Sequence, residues 1–593
     1  MDDVTADQAS ADKTSGNAPL ARLLRRLARI SELGIVVLAA LVGAIAGGVV
    51  IVMNMATQAL HEVLFGIPID AHLSITPGID PALVLLVPTL GGLIFGLVFY
   101  KAFPRPGAAP VDPIEANALH GGRMSARDSL LVAVQTIASS GVGASVGTEA
   151  GYTQAAGGLA SRLGQLFHLR RADLRLLVAC GAGAAIGAAF DAPLMGAFYG
   201  FELVLGTYAI PAFAPMMTAS FTAALTRRLV QPAPLPPLPD LGAPGIEALP
   251  SVLLLGFLCA LIGIAVMRGV TLVEAGFRPS RLPAFLRPAI GGLIVGTLAL
   301  GSPAVFSAGH GAVHHYIVAD GSLAIFALLL AGKVAASSVS IGSGFRGGLF
   351  FASLLMGVFA GRAYAAGLGL LLPDLAAPPA FHAVIGMSAL AVAVVGGPMT
   401  MTLLALEMTG DLQLTLAVLA ASGVASLATR QLFGFSFATW RFHLRGENIR
   451  GAHDIGWLRE MTVSSLMRRE VTQLDADTPL AAARLAWPPG STPLLVATEG
   501  GRYAGLVPLA SLHNEAPAQG TLRPLLRHGD DALRPDMTIR EALDLFERTE
   551  ADALAVVAPS GEVVGVLSEA HAVRRYSEEL GRRLGELTGE RMA

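Results

Sequence analysis

A succession of apolar segments fills the first three quarters of the chain, at about 33–63, 81–101, 129–141, 145–166, 174–190, 193–207, 211–230, 249–276, 286–301, 323–341, 347–369, 382–396, 399–409 and 413–435. The chain is 53% hydrophobic and only 14% charged, against about 25% charged residues in soluble domains. This part therefore belongs in lipid. A full helical crossing takes about 20 apolar residues, and several of these segments fall short of that or are interrupted by glycine and proline. Broken helices survive at membrane depth only when buried in protein or lining a cavity, because lipid cannot satisfy an open backbone polar group. The pattern predicts an all-α polytopic membrane protein of the transporter or channel type.

The ends of the chain read differently. Residues 1–29 are polar and then basic, and Arg22, Arg25, Arg26 and Arg29 precede a long apolar run from Ile35 past Met55. That run exceeds the short core of a cleaved leader. It reads as a retained helix whose basic flank stays cytoplasmic. A net charge of −3 argues against nucleic acid as a partner. The two cysteines, Cys180 and Cys259, sit in apolar segments and read as small buried hydrophobes, not a disulfide or a metal pair.

One carboxylate stands out. In SSGVGASVGTEAGYTQAAGGLASR, residues 139–162, Glu149 is the only acid between Asp128 and Asp173. An ionisable group at membrane depth is costly and usually faces a cavity or an ion path. Glycines at a helix start leave N–H groups open to an anion, and a carboxylate there competes with the anion for the same donors. An anion pathway with a glutamate in it follows as an expectation. The other reading of Glu149 is a helix cap or an arginine partner.

The halves, about 30–231 and 249–445, resemble each other across the proline-rich stretch Pro232 to Pro250. Gly181, Ala184, Pro193 and Glu202 recur at one constant offset as Gly386, Ala389, Pro398 and Glu407; Gly147, Gly157 and Arg162 recur at another as Gly347, Gly357 and Arg362. Repeats in transporters place the substrate at their interface, where broken helices point N-termini at anions. The glycine-rich starts near Glu149 and near Gly348 are thus predicted walls of one site. Symmetric Glu202 and Glu407 suggest structural hydrogen bonds. Arg346 beside the second start either attracts anions or snorkels at the surface. His310, His314 and His315, in SAGHGAVHHYIV, have no carboxylate or cysteine at ligand spacing. They read as an extramembrane loop, with no metal.

Beyond Trp440 the sequence turns charged and leaves the membrane. Residues 461–577 read as two similar units, about Thr462–Asn514 and Thr521–Tyr576, each with a leader, a hydrophobic helix and alternating strands. PLLVATEGGRYAGLVPLASL parallels ALAVVAPSGEVVGVLSEAHA, with glycine turns that suit hairpins. Residues 578–593 form a charged, helical tail. No HExxH, GxSxG or paired intramembrane aspartates appear, so an enzyme is not expected.

At this point the chain resembles the CLC family of chloride channels and anion/proton antiporters over roughly residues 30–445, with a tail similar to a tandem CBS pair. GTEAG at 147–151 resembles the family's GxEGP motif, GGLFFA at 347–352 its GxFxP motif, and FDAPLMGAFYGFE at 190–202 its NAPLAG…EE segment. LEMTGD at 406–411 and HDIGWL at 453–458 also resemble family sequences. The resemblance implies that Glu149 is the gating glutamate. It assigns anion binding to Ala108, Gly147, Ala150, Gly151, Gly348, Leu349, Phe350 and Ala438, mostly through backbone amides. It also exposes departures. GAAPV at 107–111 puts Ala108 at an anion-coordinating serine, SFAT puts Ala438 at the pore tyrosine, and Leu203 replaces the second of two adjacent glutamates. Two hydroxyl donors are missing, each worth about 1.5–3 kcal/mol to a charged partner.

The resemblance further implies a homodimer in the cell membrane with one anion pathway per subunit and both termini cytoplasmic. CBS pairs often bind adenine nucleotides, and the ribose pattern falls on Gly565 and Ser568, with His571 at the aspartate position; the first unit offers Gly505, Pro508 and Ser511. No other cofactor is implied. The expected function is a chloride channel gated by voltage or pH through Glu149. The alternatives are an anion/proton antiporter, or a carrier for an anion other than chloride.

Overall fold

The apolar segments fold as helices. The computed structural model describes residues 32–102, 110–231, 241–242, 245–372, 377–445, 461–491, 494–514 and 519–588. These form two compact units, 32–445 and 461–588. Residues 1–29, Ala108, most of the proline-rich stretch between the halves, HDIGWL at 453–458 and the last five residues of the tail lie outside the described residues.

In the first unit α1 (Glu32–Phe65) and α2 (Pro81–Ala102) lead through a short α3 (Pro113–Leu119) to α4 (Ala126–Gly141) and α5 (Glu149–Leu166). α6 (Arg171–Phe190), α7 (Pro193–Tyr199), a π-helical turn over Gly200–Leu205 and α8 (Ile210–Val230) complete the first half. The second half repeats the order: α9 (Leu249–Phe277), α10 (Arg287–Ala299), α11 (His310–Val318), α12 (Leu323–Gly342) and α13 (Phe350–Leu371). It continues with α14 (Pro379–Val395), α15 (Pro398–Thr409) and α16 (Leu412–Leu432), and adds α17 (Phe437–Leu444). Among the described residues, 7 helices are long and apolar enough to cross a membrane. SAGHGAVHHYIV is thus not the loop expected from its histidines and glycine. It carries helix α11, because Ala312, Val313 and Ile317 form a buried stripe.

The contacts repeat with the order. α1 packs on α6 and α8, and α5 on α6; correspondingly α9 packs on α14 and α16, and α13 on α14. The halves meet through equivalent helices, α2 with α10 and α7 with α15. Lipid supplies no hydrophobic force between helices, so association depends on close backbone approach at small residues. A Cβ at Gly386 would lie 2.4 Å from the carbonyl oxygen of Gly357, and one at Gly357 would lie 2.3 Å from that of Gly386. In the first half a Cβ at Gly181 would lie 2.7 Å from the oxygen of Ala156. Ala156, not Gly157, is therefore the counterpart of Gly357. Arg162 is exposed, whereas Arg362 is buried and donates to Ile317 and Ala319. The Gly147/Gly347 register read from the sequence is one residue off.

The second unit begins with α18 (Val463–Leu466), β1 (Gln473–Asp475), α19 (Leu480–Ala486), the hairpin β2 (Leu494–Glu499) and β3 (Arg502–Pro508), and α20 (Leu509–Asn514). It repeats with α21 (Ile539–Thr549), the hairpin β4 (Ala553–Val557) and β5 (Val563–Ser568), and α22 (Glu569–Thr588). Gly500 and Gly501, at φ +56° and +80°, make the first hairpin turn. Each hairpin carries one irregularity, at Ala497/Thr498 and at Val556/Val557. The leaders are exchanged between units: Arg468 pairs with Val566 of β5, and Arg527 pairs with Leu506 of β3. The two sequence repeats are thus interlocked.

Replacing Gly357 by valine forces the α13–α14 contact apart. Overpacking of this kind costs about 1–3 kcal/mol, read as a lower unfolding temperature in detergent; unchanged stability would contradict the contact.

Candidate functional site

Two helix starts face each other at the centre of the first unit. The N–H of Gly147 donates to the carbonyl of Gly348 at 2.8 Å, and that of Gly348 donates back to Gly147 at 3.0 Å. Serines stitch the flanking turns in the same reciprocal way. Ser139 Oγ at the end of α4 accepts from the N–H of Arg346 at 3.0 Å, and Ser340 Oγ at the end of α12 accepts from the N–H of Ser145 at 2.9 Å. Gly147/Gly348, Ser139/Ser340 and Ser145/Arg346 share one offset, so the second-half counterpart of Glu149 is Phe350.

These bonds consume several amides that the sequence assigned to an anion. The N–H groups of Gly147 and Gly348 bind each other, and that of Gly151 donates to Thr148 at 2.9 Å. The first turns of α5 and α13 supply the open donors instead, since the first N–H groups of a helix have no internal acceptor. The amides of Glu149, Ala150, Phe350, Phe351 and Ala352 have no backbone acceptor among the described residues. Both helix dipoles therefore point positive ends at one spot.

The Glu149 carboxylate occupies that spot. It is 3% exposed, and neither oxygen makes a hydrogen bond of full geometry; the amides of Glu149 and Phe351 are the backbone donors that act on it. A Cβ at Gly147 would lie 1.8 Å from its Oε2, so a side chain there would displace the carboxylate. His310 Nε2 lies 3.8 Å from Oε1. On one side a cavity of about 830 Å³ reaches Glu149, and Ala150, Gly348, Leu349, Phe350 and Ala438 line it. Gly147 and Gly151 do not. Gly151 faces away, where a Cβ would lie 2.6 Å from Met53 and 3.0 Å from Thr136. Phe350 is both core and wall: it packs on Phe190 and Tyr199 at centroid distances of 5.1 and 6.0 Å and lines the cavity. Leu203 and the guanidinium residues Arg346 and Arg441 line it as well.

Glu202 and Glu407 hold the broken helices. Glu202, in the π-helical turn, accepts from the N–H groups of Met399 and Thr400 at 3.0 and 2.8 Å, and from the hydroxyls of Thr400 and Tyr208 at 2.6 Å each. Glu407 accepts from the N–H groups of Leu194 and Met195 at 2.8 and 2.9 Å. Each carboxylate thus caps the helix of the other half that starts at Pro398 or Pro193. Near the site, His310 was read from the sequence as part of a loop, and His72 and Lys333 were not singled out. A buried lysine and a histidine one residue after a glycine have no motif, and only the fold brings them to Glu149.

In the second unit a cavity of about 580 Å³ is lined by Ser568, His571, Arg468, Arg574 and apolar neighbours, with no carboxylate among its described lining. Gly565 does not line it; its Cα packs against Met467. His571 Nδ1 is 3.1 Å from Arg574 Nη2. Among the described residues no cluster of metal-ligating side chains occurs.

Glu407→Ala should remove both cap bonds at Pro193. Bonds to a charged group are worth about 1.5–3 kcal/mol each, so a loss of that order is expected in thermal unfolding. A variant as stable as the native chain would contradict the cross-half cap.

A family model described as voltage gated chloride channel matches residues 91–430, and one described as CBS domain matches residues 530–578. A putative chloride channel protein ClcB-like from Ralstonia nicotianae is 36% identical over 348 residues, covering 57% of this chain and 80% of that protein. A voltage-gated ClC-type chloride channel ClcB from Escherichia coli is 31% identical over 353 residues, covering 59% and 84%. The fold resembles that of a slow cyanobacterial Cl-/H+ antiporter, with a TM-score of 0.59, 24% identity and coverage of 69% and 97%. It also resembles a eukaryotic CLC transporter, with a TM-score of 0.58, 18% identity and coverage of 93% and 98%. The chain is a multi-pass membrane protein with an inverted repeat of broken helices and a C-terminal CBS pair, and it belongs to the voltage-gated chloride channel (CLC) family of anion transporters and channels.

Proposed function

We propose that the chain conducts chloride or a related small anion past Glu149, which acts as its gate. The carrying observation is a buried carboxylate set against the open amides of two helix starts at the end of a cavity, with those of Glu149 and Phe351 acting on it. Ionised, Glu149 takes the place of an anion at those amides. Protonated, or displaced by an anion, it swings clear. Opening then depends on pH, and on voltage to the extent that the carboxylate or the anion moves through the field.

The anion enters from the cavity. Arginines, Arg346 and Arg441 among them, outnumber the acids Asp112, Glu149 and Glu274 in its lining; Ala438 brings no hydroxyl at its own position, and Tyr199 is the tyrosine that lines it. Leu203 stands on that wall next to Glu202 where the family pattern has a second glutamate for protons, and the other carboxylates there are Asp112 and Glu274. These features favour passive conduction and a pore tolerant of anions larger than chloride. Coupled anion/proton exchange is the second reading: the solved relatives of this fold include a Cl-/H+ antiporter and a CLC-type fluoride/proton antiporter. The assembly we infer is a homodimer with both termini cytoplasmic. Exposed Phe213, Phe221, Leu225 and Leu229 on α8 and Leu412, Leu416, Leu419 and Leu427 on α16 leave an apolar face for lipid or a second copy. For the CBS pair we propose a platform role, since the cavity at Ser568 and His571 has no acid to hold ribose hydroxyls.

In liposomes, Glu149→Ala should conduct at every pH, whereas the native chain should conduct more as pH falls and Glu149 is neutralised. A variant that kept the native pH dependence would overturn the gate assignment. Chloride flux with no accompanying proton movement is expected for the channel reading; stoichiometric proton flux would replace it with antiport.

A further inference from the structure

The cavity reaches Glu149 from one side, and His310 reaches it from elsewhere, being no part of that cavity's lining. His310 opens α11 behind Gly309, whose φ of +92° turns the chain so that the imidazole meets α5 and α13. Its ring lies against that of Phe351, with centroids 3.8 Å apart and planes inclined by 32°. Its Nε2 stands 3.8 Å from Glu149 Oε1, so a closure of about 1 Å brings the two within hydrogen-bond range. The exposures differ in a telling way: 33% for the His310 side chain and 3% for that of Glu149. Of the two titratable groups, the histidine is the less buried.

The segment that carries His310 is clamped. Lys333 Nζ, fully buried on α12, donates to the carbonyls of Val305, Phe306 and Ser307 at 3.2, 3.4 and 2.7 Å. Ser307 Oγ donates to the carbonyl of Ser140 at 3.0 Å, and the N–H of Ser307 donates to Gly143 at 3.3 Å. The turn before His310 is thereby fixed to both the end of α4 and α12, and the ring can pivot without losing its anchor. The charged and titratable groups around the imidazole are Glu149 on α5, His61 on α1, His72 in the α1–α2 connection, Arg227 on α8, Lys333 on α12, and His314 on its own helix. Gln58 joins His61 and His72, at 3.3 Å from each ring. Glu149 is the one acid in that set, so a proton on His310 has a single anionic acceptor there.

We propose that His310 is the proton-delivery residue for Glu149, an assignment that rests on Glu149 being the gate. The imidazolium gives its Nε2 proton to Oε1, which leaves a neutral imidazole and a neutral carboxyl. The ring is charged beforehand by a proton taken up at Nδ1 while Nε2 already carries one, and after the transfer Nδ1 keeps its proton. The return step runs in reverse as the carboxyl ionises. The stack on Phe351 keeps Nε2 facing the carboxylate in both states. Phe351 also neighbours the open amides of α13, so the proton arrives where the anion and the carboxylate compete.

The test uses the full chain in liposomes, with anion flux recorded against pH. His310→Phe keeps an aromatic stack and removes the ring nitrogens; His310→Ala leaves space for free imidazole. Both should lower acid-stimulated flux by about a hundredfold, the low end of what a positioned proton donor contributes. Added imidazole should restore flux in His310→Ala and not in His310→Phe. In a Glu149→Ala background neither change should matter. Native flux and pH profile in His310→Phe would overturn the proposal, as would a pH-independent loss in His310→Ala that imidazole does not restore. If Glu149→Ala itself keeps the native pH dependence, it is the gate assignment beneath the proposal that fails.

Discussion

Everything in the membrane unit depends on the reciprocal backbone pair between Gly147 and Gly348. Two helix starts buried at the centre of a membrane unit leave N–H groups that lipid cannot satisfy. Placing the two starts against each other spends part of that debt internally and aims the remaining donors at one point. The amides of Glu149, Ala150, Phe350, Phe351 and Ala352 are what is left. An anion, or a carboxylate standing in for one, is the natural partner of that concentration of positive dipole ends. The cost of burying Glu149 and the cost of leaving those amides open thus offset each other.

The rest of the fold secures that junction twice over. Ser139 and Ser340 tie the turns before the two starts, each to the opposite half. Farther along, Glu202 and Glu407 cap the opposite half's short helix. Such exchanged bonds resist relative sliding of the halves, because a slip breaks a pair of charge-assisted bonds at once. Close contacts such as Gly357 on Gly386 then replace the hydrophobic force that lipid does not supply. The CBS pair uses the same device in water, with the leader of each unit completing the sheet of the other.

Much of this was legible in the sequence, and the misses have physical reasons. The helices were visible because lipid demands long apolar runs, and Glu149 because an isolated acid among glycines is costly. The symmetric roles of Glu202 and Glu407 were legible because acids are rare enough for a repeat to be noticed. The Gly147/Gly347 register was not, since two adjacent glycines offer two equally good matches and only the backbone pairing chooses Gly348. Ala150 and Phe350 were named from the sequence, but Phe351 and Ala352 were not, and the amides of Gly147, Gly151 and Gly348 were named although they are bonded elsewhere, because a glycine signals close approach and not which N–H stays free. His310 was lost for the opposite reason: its neighbourhood reads as a polar loop, and its partner lies 161 residues upstream in space-filling terms that no local pattern records. Ala438 and Leu203, read from the sequence as departures from the family pattern, both fall on the wall of one cavity with Glu149.

The central claim is that the open amides of α5 and α13 form one anion site that Glu149 occupies at rest. Locating bromide by its anomalous scattering in crystals of the Glu149→Ala variant tests this most directly. The account predicts a bromide within about 3–3.5 Å of the Phe350 and Phe351 amide nitrogens in the variant, in the place the carboxylate holds in the native chain. Bromide bound elsewhere in the variant, with the junction of the two helix starts empty, would contradict it.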